Sequence, residues 1–327
     1  MTTTLATAPA KAPSWALPIS LFSIPLGLAG LGGAWTAAAQ LLGAPAWPAS
    51  VAFGAATLVF AAFTFSYLAG TFRPGAGFHI DLRHPLLGPL TAYLPVIAIL
   101  LIAHYAADLG RAAPWLIWIA VASLAVNAAA LFAHWLKHPL DQDAMHPGYF
   151  LPVTAGAFLA AIGFVSVHQH GAAVAAFGIG VFFWLLLGAV ITSRLFFGSE
   201  LPLPFKPVLS ILLSPPGTAS VAWFAITGGV IDDLQAALGG VTLFMLLVQL
   251  FFVRDYLRLP FSTQYWVFTF PIAVLGNIGV RYSAGLHFTG WQVAGWIAVA
   301  ISSVLILAII VASLRLGARH LTSRQAG

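Results

Sequence analysis

The chain has 327 residues, of which 61% are hydrophobic and only 6% charged. Thirteen basic and eight acidic side chains cannot cover a water-soluble surface of this size, where about a quarter of residues are normally charged. With a mean hydropathy of +0.97, disordered, collagen-like and nucleic-acid-binding classes are excluded, leaving an all-α polytopic membrane protein. There is no cysteine, which removes disulfides, thiolate catalysis and cysteine-ligated metals.

In chain order, residues 1–16 read as a cytoplasmic N-terminal segment without a cleavage site, so the first apolar run stays as a span. A bilayer core requires about 20 helical residues per crossing. Ten such runs follow: 17–42, 49–72, 88–107, 114–136, 148–168, 171–193, 208–230, 234–253, 263–280 and 289–314. Residues 17–315 therefore form one ten-helix domain, and 316–327 a cytoplasmic tail. With the N-terminus on side one, that side holds Lys11, Arg73, Arg83, Lys137, Arg194, Lys206, Arg254, Arg258, Arg315, Arg319 and Arg324; the other holds Arg111 and Arg281. This asymmetry predicts cytoplasmic termini, and the expected location is a bacterial inner membrane.

Interior prolines fall only in odd-numbered runs: Pro25, Pro95, Pro152, Pro215 with Pro216, and Pro271. Their spacing of 70, 57, 64 and 55 residues (counting from Pro216) predicts five helical hairpins. Each hairpin has a proline-kinked first helix and a straight second one. Proline frees a backbone carbonyl, which at membrane depth is tolerated only inside protein or against a water-filled lumen. The odd helices are therefore expected as an inner pore ring and the even helices as an outer ring. Hydroxyls on the odd spans, among them Ser23, Thr91, Tyr93, Thr154, Ser210, Ser214, Thr218 and Thr269, fit such a lumen.

No Asp, Glu, Lys or Arg occupies the middle of a span; Asp108, Asp232, Asp233, Arg254 and Arg281 are placed at span ends. Proton-coupled pumps and cation channels use intramembrane carboxylates or acidic rings. A neutral conduit instead favours a weakly held anion. The ten histidines cluster in loops and at span ends, so no haem or other cofactor is expected. His168 and His170 form an H-x-H without a third ligand, and no metal site is expected. No hydrolase triad, H-E-x-x-H or phosphate-binding loop is present, so the reading is not an enzyme.

Three segments carry a resemblance: LFSIPLGLAGLGGAW in the first span, HPGYFLPVTAGAF at the fifth and PFSTQYWVFTFPIAV at the ninth. They are similar to the tellurite-resistance/dicarboxylate transporter family, which joins bacterial TehA, malate and C4-dicarboxylate transporters, fungal sulfite exporters and plant guard-cell slow anion channels. The resemblance implies a homotrimer in lipid, with one pore per protomer for small inorganic or organic anions. It also implies a phenylalanine gate, which the W-x-x-x-F spacing places at Phe270. Ser23 stands where the family often has the glycine that makes room for that ring. The expectation is an anion channel for chloride or nitrate, with Ser23, Thr154, Ser214, Thr218 and Thr269 contacting the ion. The alternative is a transporter of malate, tellurite or sulfite.

Overall fold

The computed structural model describes residues 17–71, 77–138 and 140–325. The expected N-terminal segment with Lys11, and Arg73 in the first long loop, lie outside the described residues. Among the described residues twelve α-helices follow one another and no strand occurs. They are α1 (Ser23–Leu42), α2 (Trp47–Thr71), α3 (Phe78–Arg83), α4 (Tyr93–His104), α5 (Ala106–Leu109), α6 (Ala113–Lys137), α7 (Gly156–Ser166), α8 (His170–Phe197), α9 (Ser214–Ile226), α10 (Asp233–Leu257), α11 (Thr269–Leu286) and α12 (Trp291–Gln325). The short α3 and α5 have no counterpart in the sequence reading. The last helix runs on through Gln325, into the residues expected as a tail.

Short turns join α1 to α2, α7 to α8, α9 to α10 and α11 to α12, and each of these pairs is in contact. Gly43, at φ 68°, ends α1 in the left-handed conformation that costs glycine least. Asp232 starts α10 by accepting the Gln235 backbone N–H at 2.8 Å. Helices α1, α4, α7, α9 and α11 each touch the next in that order, and α11 closes back on α1.

The prolines act differently from simple kinks. A 3₁₀ stretch precedes four of these five helices: Ile19–Phe22, Gly88–Ala92, Leu203–Leu213 and Thr263–Phe268. Pro25, Pro95, Pro216 and Pro271 are then each the third residue of the α-helix that follows. In the first turn an N–H has no intrahelical partner to lose, so proline is tolerated there. Pro152 instead falls in a π-turn, Leu151–Ala155, which absorbs the missing bond ahead of α7.

Among the described residues, eight helical segments are long and apolar enough to cross a membrane. The expected spans 88–107 and 263–280 are not among them. Gly88–His104 is a shorter apolar helix, and Thr263–Leu286 carries Gln264, Asn277 and Arg281. Both segments are screened by neighbours, which relaxes the need for an apolar surface: Val96, Ile97 and Ile99 of α4 and Thr269, Ala273 and Val280 of α11 are fully enclosed. Burial also sorts the eight. Between 61% and 89% of the most apolar stretch is covered in Ile19–Leu42, Pro147–Ser166 and Phe205–Ile226, against 17–28% in the other five. The latter expose Phe182, Leu185, Phe244, Leu247, Phe251, Ile301 and Val304. Such surfaces are stable only against hydrocarbon. This is an integral membrane protein.

Between helices the close contacts use small residues, as expected where lipid gives no hydrophobic drive to association. A Cβ on Gly27 would lie 1.8 Å from Thr269 Oγ1, and one on Gly217 2.7 Å from Val274 Cγ1.

Candidate functional site

The 3₁₀-to-α junctions of α1, α4, α9 and α11 meet the 3₁₀ and π turns that lead into α7 around a cavity of about 40 Å³. Its wall draws on all five: Ser23 and Leu26; Leu90 and Tyr93; Gly148, Leu151 and Ala155; Ile211 and Ser214; and Trp266, Phe270 and Pro271. No charged side chain borders it. Such a space holds one or a few waters, not a hydrated ion.

The five hydroxyls expected to contact an anion divide. Ser23 and Ser214 border the cavity, whereas Thr154, Thr218 and Thr269 are not in its wall. Ser23 Oγ donates to Ser20 O at 2.8 Å and Thr269 Oγ1 to Trp266 O at 2.6 Å, so both are turned onto their own backbone. Thr154 and Thr218 are buried with no hydrogen-bond partner for their hydroxyls. Tyr93 also faces the cavity. The sequence marked it as polar but did not single it out. Of the prolines, Pro271 borders the cavity, and Pro25, Pro95, Pro152 and Pro216 are buried but not in its wall.

Phe270 is 8% exposed. The room for its ring comes partly from Gly30 of α1: a Cβ there would stand 3.1 Å from Phe270 Cδ2 and 3.0 Å from the Ala273 Cβ. The family resemblance assigned that steric role to position 23.

The loop segment leading to Gly148 is pinned by a buried histidine. Gly148 N–H donates to His146 Nδ1 at 3.1 Å, and the second ring nitrogen, Nε2, lies 3.3 Å from Leu86 O. These partners fit the neutral ring with its proton on Nε2. Burial, assisted by the Arg194 charge, lowers the His146 pKa to about 4. Arg194 itself is buried, donating to Ser199 O at 2.8 Å and to Asp143 O at 3.3 Å. It therefore acts as a loop clamp and not as the free surface charge counted from the sequence.

The clearest omission from the sequence reading is Arg281. It was placed at a span end, yet it lies within α11, half-buried, five residues before Leu286. Its Nε donates to Asn277 Oδ1 at 2.8 Å, and Asn277 Nδ2 donates to Gly33 O at 2.8 Å. The i, i+4 spacing of Asn277 and Arg281 was the available signal.

The profile of the SLAC1 family, voltage-dependent anion channel, matches residues 16–315. The chain belongs to that family. Family members are anion channels, not enzymes, and bacterial TehA is one of them. Among curated SLAC1-family proteins of Arabidopsis thaliana, the S-type anion channel SLAH4 is 26% identical over 174 residues, 51% of this chain and 47% of the relative. SLAH3, also an S-type anion channel, is 26% identical over 141 residues, 42% of this chain and 22% of the relative. The guard cell S-type anion channel SLAC1 is 26% identical over 156 residues, 47% and 28% respectively. The similarity thus spans from about a fifth to about half the length of these SLAC1-family relatives.

Proposed function

We propose that the chain is an anion channel that passes small monovalent anions, chloride and nitrate, through a neutral pore in each protomer of a homotrimer. The observation that carries this is the uncharged cavity where the starts of all five proline-bearing helices converge on Phe270. In this reading residues 17–315 form ten transmembrane helices as five hairpins. α1, α4, α7, α9 and α11 make the inner ring, and α2, α6, α8, α10 and α12 the outer. Residues 1–16 and 316–327 lie in the cytoplasm of a bacterium, with the channel in the inner membrane, consistent with the basic residues gathered in the loops of one side.

At rest the Phe270 ring stoppers the lumen. An ion crossing there must shed most of its water in an apolar neck. When the ring swings aside, the Ser214 and Tyr93 hydroxyls on the wall, and the unpartnered hydroxyls of Thr154 and Thr218 behind it, supply neutral donors. Ser23 and Thr269 contribute polarity while bonded to their own turns. A weak neutral site ranks anions by ease of dehydration, favouring nitrate over chloride. Reversal potentials in mixed chloride and nitrate salts test this, and a cation preference would end it.

The half-buried Arg281 favours keeping a second reading, a transporter of oxyanions or C4-dicarboxylates such as malate, tellurite or sulfite. It predicts saturable flux with counter-flow and no large unitary current.

A further inference from the structure

Phe270, Val274, Asn277 and Arg281 are spaced i, i+4, i+7 and i+11 along α11. At 100° per residue, Asn277 and Arg281 lie within about 20° of the direction of Phe270. Phe270 faces the cavity, so Arg281 projects over the same helix face about 16 Å further along.

The guanidinium is held, not loose. Asn277, 7% exposed, accepts from Nε while its amide is anchored on the Gly33 carbonyl of α1. This fixes the plane of the group across the α1–α11 contact and leaves the Nη1/Nη2 edge unused by the described residues. No carboxylate reaches it: the ion pairs among the described residues are Arg194–Asp143 and Lys206–Glu200. Asp232, which starts the neighbouring α10, is taken up by Trp223 Nε1 and the Gln235 N–H. A half-buried cation with one neutral acceptor is poorly compensated, so an anion on its free edge is favoured.

We propose that Arg281, oriented by Asn277 and Gly33, is an anion-binding station at the mouth of the conduit opposite the Phe270 constriction. Its free edge suits a small planar oxyanion, nitrate or a carboxylate, gripped through two parallel N–H bonds. Chloride, a single point acceptor, uses that fork less well. The inference rests on the pore reading only for its functional consequence: a positive station concentrates anions where they enter, which matters most in dilute salt.

Two measurements separate the station from the pore. The first is thermal unfolding of the purified full chain in sodium nitrate and in sodium chloride at equal ionic strength. Nitrate is expected to raise the midpoint of the native protein above its value in chloride. Arg281→Gln abolishes the difference, and Arg281→Lys, which keeps the charge but not the fork, reduces it. A nitrate increment that survives in Arg281→Gln overturns the proposal. If that variant does not fold, an increment in Arg281→Lys equal to that of the native chain overturns it instead.

The second is planar-bilayer current on a Phe270→Ala background. Adding Arg281→Gln is expected to lower anion current about 3-fold to 10-fold in about 50 mM salt. The two proteins should converge near about 1 M, where screening acts within about 3 Å. An equal current at both concentrations overturns the role in conduction. If Phe270→Ala passes no anion current while the nitrate increment still depends on Arg281, the pore reading fails and the station stands.

Discussion

Replacing Phe270 by alanine removes the phenyl ring that stands at the cavity beside Tyr93 and Trp266. About 40 Å³ of space for water-sized occupants, at roughly 10–15 Å³ of that measure per water, takes about three waters, so an anion lodged there keeps only one or two. Shedding the rest costs several kcal/mol. Opening the neck needs to recover only about 3 kcal/mol of that to raise flux roughly a hundredfold, since each 1.36 kcal/mol is tenfold. The ring is 8% exposed, so truncation also costs about 3–5 kcal/mol of packing; chromatographic behaviour of the purified variant controls for unfolding. The assay is anion current across a planar bilayer, native chain against Phe270→Ala, at matched protein. Equal currents, or a new current carried by cations, would refute the reasoning.

Gly27→Ala drives a methyl into Thr269 Oγ1 at 1.8 Å, a stiff β-branched neighbour on a packed helix. It should destabilise by about 1–3 kcal/mol or more, read as a lower thermal midpoint, while Gly54→Ala, which meets open space, should not. Ser214→Ala with Tyr93→Phe, on the Phe270→Ala background, removes the hydroxyls of two cavity-lining residues. It should weaken anion over cation selectivity, measured by reversal potential, and an unchanged potential removes these donors from the pathway. His146 has a folded-state pKa of about 4 against an ordinary 6.5. The unfolded chain therefore binds the extra proton between those values, and stability present above pH 6.5 is lost as pH falls towards 4. The gap corresponds to about 3 kcal/mol. The drop in thermal midpoint across that window should be larger in the native protein than in His146→Asn; equal slopes would mean that the ring is not held neutral by the fold.

Much of the architecture was legible because alternation of proline is a pattern in one dimension. Confinement of Pro25, Pro95, Pro152, Pro216 and Pro271 to alternate runs marked out the helices that contact one another in a closed order. What the prolines do locally was not legible. A 3₁₀ stretch and an α-helix share the same apolar composition, so nothing in LFSIP or VFTFP distinguishes a bent helix from a junction between two helix types. The hydroxyls illustrate a second limit. Ser23 and Ser214 both precede a proline by two residues, yet only Ser23 bonds back onto its own turn. Rotamer choice decides this, and sequence spacing does not encode it. Arg281 was misplaced for a third reason. Hydropathy ends a span at the first charge, whereas α11, screened by its neighbours, carries that charge in its last turns without breaking.

The central claim is that the conduit runs where the five proline-bearing helices converge and not along the outer helices. Because the chain has no cysteine, a single thiol can be read without background. On Phe270→Ala, Ser214→Cys should lose most of its current on exposure to a small charged methanethiosulfonate, while Leu247→Cys on the exposed side of α10 should be untouched. Block at Leu247→Cys with none at Ser214→Cys would contradict it.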